Sequence, residues 1–133
     1  MTSKLHCLFS PHAKHLLVST TDNRIKLWDV DTKKETRNYI EKRHLSHSYT
    51  CWSWGYGKKD SLGLFATGTS DGTVILWDLV RGVVIKEIGS ADSAVASDVS
   101  ISKDAKQILV SSSSLNQIII YDIASGTVVK VNS

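Results

Sequence analysis

One dipeptide recurs along this chain, each time at the end of a strand-like run. Trp28-Asp29 closes Arg-Ile-Lys-Leu-Trp-Asp, Trp77-Asp78 closes Thr-Val-Ile-Leu-Trp-Asp, and Tyr121-Asp122 closes Gln-Ile-Ile-Ile-Tyr-Asp. The leading aromatics stand 49 and 44 residues apart. A fixed period of this size marks one supersecondary unit repeated in series. Such a unit buries its apolar face only by stacking on its neighbours. The first interval is slightly long, and the Gly55–Leu62 segment absorbs the excess as a loop.

Around each anchor the chain reads as four short strands. The first group is Leu5–Phe9, Leu16–Thr20, Arg24–Trp28 and Glu35–Ile40. The second is Thr50–Trp54, Leu64–Gly68, Thr73–Trp77 and Val83–Ile88; the third is Ser97–Ile101, Ile108–Ser112, Gln117–Tyr121 and Thr127–Val131. These runs are rich in β-branched and aromatic residues. Turn pairs separate them: Asp22-Asn23, Asp71-Gly72, Arg81-Gly82 and Ser125-Gly126. No stretch of ten or more residues carries a helical period. The predicted fold is all-β, a partial β-propeller of three four-stranded antiparallel blades at residues 4–48, 49–94 and 95–133.

Over essentially its whole length the chain resembles the WD-repeat family. In that family a buried relay of His, Ser/Thr, Asp and Trp ties the strands and turns of a blade together. Blade two matches it best: Asp71 lies six residues before Trp77 in the Asp-Gly turn, and Thr69 lies two before Asp71. The resemblance makes His44, in the loop leading into that blade, the expected histidine, with His47 as runner-up. The chemistry is sound, because a buried indole N–H needs an acceptor and a buried carboxylate needs donors. Blade one keeps Thr20, Asp22 and Trp28, but no histidine precedes it. Blade three has Leu115 where the aspartate belongs and Tyr121 in place of tryptophan. Its relay is expected to be absent, leaving Ile108, Val110, Ile118 and Ile120 to hold it by apolar packing.

A closer resemblance concerns the runs Cys7-Leu-Phe-Ser-Pro-His12, Arg43-His-Leu-Ser46, Thr50-Cys-Trp-Ser-Trp54 and Leu64-Phe-Ala-Thr-Gly-Thr69. They look like the N-terminal propeller of the nucleolar WD-repeat subunits of the t-UTP (UtpA) subcomplex of the small-subunit processome. The likeness covers about the first 90 residues well and the remainder loosely. It implies a scaffold for early pre-ribosomal RNA in the nucleolus.

Composition excludes several classes. The chain is 41% hydrophobic and 22% charged with one proline, which suits a packed core and not a disordered tail. No run approaches the roughly 18 apolar residues of a membrane helix, and the first residues hold no secretory apolar stretch. Cys7 and Cys51 lie in strand-like segments without a CxxC, so a reduced, intracellular protein is expected. Charge is uneven: residues 1–60 carry 11 Lys+Arg and 6 Asp+Glu, and residues 61–133 carry 5 and 7. Lys33, Lys34, Arg37, Lys42 and Arg43, grouped around Tyr39, form a candidate surface for an acidic protein or a phosphate backbone. Lysines of this number also serve simply to keep a propeller surface soluble.

Catalytic and metal readings are weaker. Ser100-Ile-Ser-Lys103 matches Ser-x-x-Lys, a motif that needs a helix to join its two ends, and here it spans a strand end and a turn. All five histidines lie within residues 6–47, yet no pair has a structural zinc spacing. Gly55-Tyr-Gly57-Lys-Lys59 lacks the phosphate-loop spacing. Trp52 and Trp54 alternate on one strand face and read as core. The expectation is a non-catalytic interaction module with no cofactor or metal, working among the proteins of a larger assembly, with direct RNA contact as the alternative. Three blades leave a sheet face uncovered at each end, where Leu27, Ile75, Leu76, Ile118 and Ile120 supply apolar surface. Further blades from the same or another chain are the expected cover.

Overall fold

The computed structural model describes residues 7–20, 22, 24–40, 48–55, 63–89, 95–112 and 116–132. Twelve strands follow one another with no helix among the described residues. The first sheet contains β1 (Cys7–Phe9), β2 (His15–Ser19), β3 (Ile25–Asp29) and β4 (Lys34–Tyr39). The second contains β5 (Tyr49–Trp54), β6 (Leu64–Thr69), β7 (Val74–Asp78) and β8 (Val83–Ile88). The third contains β9 (Asp98–Ile101), β10 (Gln107–Ser112), β11 (Gln117–Asp122) and β12 (Val128–Asn132). Each sheet is an antiparallel meander in chain order. These are the three four-stranded blades of a partial propeller. The strand ends read from sequence agree to within one residue, except at the start of β1, where Leu5 lies outside the described residues.

The blades share their irregularities as well as their strands. A bulge precedes the anchor aromatic in each, between Leu27 and Trp28, Leu76 and Trp77, and Ile120 and Tyr121. The third strand then enters one turn type three times. Lys33 N donates to Asp29 O at 2.9 Å, and Gly82 N to Asp78 O and Gly126 N to Asp122 O at 2.8 Å each. This turn needs a left-handed residue, supplied by Gly82 and Gly126 at φ 72° and by Lys33 at φ 58°. The aspartate of each dipeptide caps the turn. Asp29 accepts from Thr32 N at 2.9 Å, Asp78 from Val80 N at 3.0 Å, and Asp122 from Ser125 N at 2.9 Å.

Two apolar cores lie between the three sheets. Leu17, Ile25, Leu27 and Tyr39 of blade one pack with Tyr49, Phe65, Ile75 and Trp77 of blade two. The opposite face of blade two, with Cys51, Ala66, Val74, Leu76 and Ile88, packs with Ala96, Val99, Ile108, Val110 and Tyr121 of blade three. Alternation along the strands sends neighbours such as Ile75 and Leu76 into different cores. Blade two is therefore covered on both faces, and Phe65, Ala66, Ile75 and Leu76 are 0% exposed. Burying Phe65, Ile75 or Leu76 is worth roughly 1.5–3 kcal/mol each. Close approach sets one residue in the second core. A Cβ on Gly68 would stand 2.6 Å from Cys51 Sγ and 3.1 Å from Ala96 Cβ.

Candidate interaction surface

The turn in blade two is tightly wired. The Thr69 hydroxyl donates to the Asp71 carboxylate. The same carboxylate oxygen accepts from Thr73 N at 3.1 Å and from the Thr73 hydroxyl at 2.8 Å. Blade one repeats the first bond, from the Thr20 hydroxyl to Asp22. Trp77 does not join this cluster directly. It pairs with Phe65 across the sheet, four residues up β6 from Thr69, a distance of roughly 13 Å at strand rise. The Trp77 indole nitrogen is buried and has no hydrogen-bond partner among the described residues. The Thr67 hydroxyl shares that condition, is 0% exposed and lies on the same sheet face. Thr67 was not singled out from sequence. It lies ten residues before Trp77, closer in space than Thr69, and only the sheet register reveals that. His44 and His47 lie outside the described residues, as does Leu115 of blade three. In blade one Trp28 is 36% exposed, because it points away from blade two and, among the described residues, no blade packs on that side.

The basic residues divide. Lys33 and Lys34 are exposed at the start of β4. Arg37 instead turns its guanidinium onto blade two, donating to Leu79 O at 3.0 Å and to Val80 O. Beside it the buried Tyr39 hydroxyl donates to Leu79 O at 2.8 Å. Burial pushes the Tyr39 phenol above its ordinary range, against an opposing pull from Arg37. Arg37 thus clamps two blades. Lys86 does the same one blade on, its ammonium donating to Ala124 O. Lys42 and Arg43 lie outside the described residues.

The other sequence candidates are structural. Trp52 and Trp54 meet Phe65 edge-on at 4.9 and 6.3 Å between ring centroids, in the first core. Ser102, inside Ser100-Ile-Ser-Lys103, caps a turn by bonding Asp104 at 2.6 Å and Gln107 N at 3.0 Å. Cys7 is exposed and Cys51 buried, and neither is in a disulfide. Among the described residues no group of His, Cys, Asp or Glu is arranged to hold a metal, and no helix is long and apolar enough to cross a membrane.

What remains is a pair of apolar blade faces. Of the five residues expected there, Leu27, Ile75 and Leu76 are covered within the chain, since the blades stack on one another. Ile118 stays 45% exposed, and Leu109 joins it at 40%. On blade one Phe9 is 58% exposed beside Trp28. Of the four residues expected to hold blade three, Ile108 and Val110 serve the core, while Ile118 and Ile120 face outward.

Residues 2–29 and 41–78 match the WD domain, G-beta repeat family. Those two segments carry WD repeats. Blade three lies outside the matched segments, consistent with its altered anchor. Among curated proteins, WD repeat-containing protein 43 of Homo sapiens is 25% identical over 96 residues, 57% of this chain and 14% of that protein. Autophagy-related protein 16 of Arabidopsis thaliana is 31% identical over 99 residues, 74% of this chain and 18% of that protein. The chain spans less than a fifth of the length of these relatives. WD repeats typically build non-catalytic interaction surfaces, held in place by a rigid stack of blades.

Proposed function

We propose that this chain is a non-catalytic scaffold of a nucleolar assembly that processes small-subunit pre-ribosomal RNA. The observation that carries the scaffold reading is the stack itself, three four-stranded blades joined through two apolar cores, a rigid frame of the kind that presents loops and rims to other chains. The ribosomal setting comes from the likeness to the UtpA WD-repeat subunits, subunit five in particular. A relay of His44 with Thr69, Asp71 and Trp77 belongs to the same proposal. The unpartnered Trp77 and Thr67 atoms are where an imidazole would contribute most.

Direct RNA contact is the second reading, with nucleus and nucleolus as its address. It rests on Lys33 and Lys34, with Lys42 and Arg43, since Arg37 is engaged on blade two. A tagged full-length gene product should co-sediment with small-subunit precursor particles on sucrose gradients. Sedimentation with free protein only, under conditions that keep those particles intact, overturns the ribosomal setting. A purified chain whose RNA affinity falls steeply with salt supports phosphate contact, and absence of binding at low salt removes it.

A further inference from the structure

Blade one departs from the other two along its outer strand. Lys33, Lys34 and Thr36 are the fifth, sixth and eighth residues after Trp28. Gly82, Val83 and Ile85 hold those places after Trp77, and Gly126, Thr127 and Val129 hold them after Tyr121. The fifth place takes a left-handed backbone in every blade, at φ 58° for Lys33 and 72° for each glycine. A lysine there is strained where glycine is not. Strain kept on the surface, at a residue whose side chain is exposed, points to a use for that side chain. The eighth place is apolar in blades two and three, and in blade one it holds a hydroxyl.

The setting of that hydroxyl is open. Thr36 is exposed and lies at the bulge of β4, between Glu35, which pairs with Trp28, and Arg37, which pairs with Leu27. It has no ladder partner of its own, and its hydroxyl donates to Leu27 O at 3.2 Å. β4 is the outer strand of its sheet and has β3 as its one neighbour there. Such an edge opens locally more easily than a central strand. Among the described residues no other hydroxyl has lysines at both the third and the second positions before it. The sequence holds the same pattern at Lys58-Lys59-Asp60-Ser61, outside the described residues.

We propose that Thr36 is a phosphorylation site for a protein kinase of the class that selects basic residues ahead of its target, and that the phosphate releases the Arg37 clamp. Lys33 and Lys34 are the charges such a kinase reads through acidic groups of its peptide groove. In the transfer the Thr36 oxygen bonds to the γ-phosphorus of a nucleoside triphosphate. The bond from that phosphorus to the bridging oxygen breaks, the diphosphate leaves, and the hydroxyl proton passes to the catalytic carboxylate of the kinase. The product has lost the donor to Leu27 O and carries about two negative charges beside Arg37. Arg37 donates to the Leu79 and Val80 carbonyls, which are neutral acceptors. A phosphate dianion binds a guanidinium more strongly than they do, and it can take two of its N–H groups at once. Phosphorylation thus draws Arg37 back onto its own strand and loosens the rim between blades one and two.

The test uses the folded full-length gene product, magnesium ATP and the catalytic subunit of cyclic-AMP-dependent protein kinase, with phosphate located by peptide mass spectrometry. Phosphate is expected on Thr36. Replacing both lysines, Lys33→Ala with Lys34→Ala, should lower kcat/KM for that site at least about tenfold. Lys103→Ala, on an exposed turn of blade three, should leave it unchanged. Circular dichroism checks that each variant is folded. Hydrogen exchange in β4 and in the turn at residues 79–82 should then be faster in the phosphorylated protein than in Thr36→Ala treated identically, which carries phosphate at any other site. In Arg37→Gln that difference should shrink, because the clamp is already gone. Absence of phosphate at Thr36 overturns the proposal, as does its transfer at an unchanged rate without the lysines. Exchange equal to that of treated Thr36→Ala, or a difference just as large in Arg37→Gln, overturns the release of the clamp.

Discussion

Asp71 ties its turn together through a single carboxylate oxygen. One carboxylate oxygen takes the Thr69 hydroxyl, the Thr73 amide and the Thr73 hydroxyl. Asp71→Ala leaves those part-buried donors without their acceptor, and the expected loss is about 1–3 kcal/mol. Denaturant midpoints against a Lys103→Ala control check this, and equal midpoints would refute it. The aspartates of the repeated dipeptides work through charge in the same manner. The Thr32 backbone N–H holds the Asp29 carboxyl below its ordinary value, and the Ser125 backbone N–H does so for Asp122. A depressed folded value means the stabilisation is present above the unfolded carboxylate value of about 3.9 and is lost as pH falls through the folded one. Stability should therefore decline below about pH 4. Asp29→Asn with Asp122→Asn keeps the acceptors and should flatten that acid limb. An unchanged limb would assign the acid response to other groups.

Strands and turns carry their own tests. β6 passes so close to Cys51 and Ala96 that Gly68 has no room for a side chain. Gly68→Ala should cost about 1–3 kcal/mol by overpacking, read as a lower thermal midpoint. The turn after β3 holds Lys33 in the left-handed conformation that glycine occupies in the other two blades. Lys33→Gly should relieve the strain of about 1 kcal/mol and raise the midpoint slightly. If the same variant also lowers RNA affinity, Lys33 touches phosphate; a midpoint that falls means the lysine stem packs usefully where it stands. Arg37→Gln breaks the link from β4 to the blade-two carbonyls. It should reduce stability and leave RNA binding unaltered, and filter binding beside chemical denaturation separates the two effects.

Across the whole molecule, protection should follow coverage. Among the described residues blade two has a neighbour on each face, and blades one and three have one each. Hydrogen exchange should be slowest in β6 and β7 and faster in β3 and β11, because stack stability sums over neighbour interfaces. Equal protection in all three third strands would mean that the outer faces are covered in solution. The Cys51 thiol, buried in the second core, should resist alkylation in the folded state, while Cys7 reacts freely.

Strand periodicity, the recurring Trp-Asp dipeptides and the Asp-Gly and Ser-Gly turns determined the all-β repeat, its three blades and nearly every strand end. These signals are local, and alternation with turn chemistry expresses them within a few residues. The Thr69–Asp71 bond was legible for the same reason, with its partners only two residues apart. Which face of each blade meets which neighbour was not legible, because a residue's burial depends on the blade beside it. Leu27 and Ile120 occupy matching places, yet one is sealed between blades and the other faces outward. Arg37 looked like part of a basic surface until the stack brought the Leu79 and Val80 carbonyls, over 40 residues away in sequence, within its reach. Thr67 was likewise silent in sequence. Its place near Trp77 comes from strand register, and only the paired strands decide it.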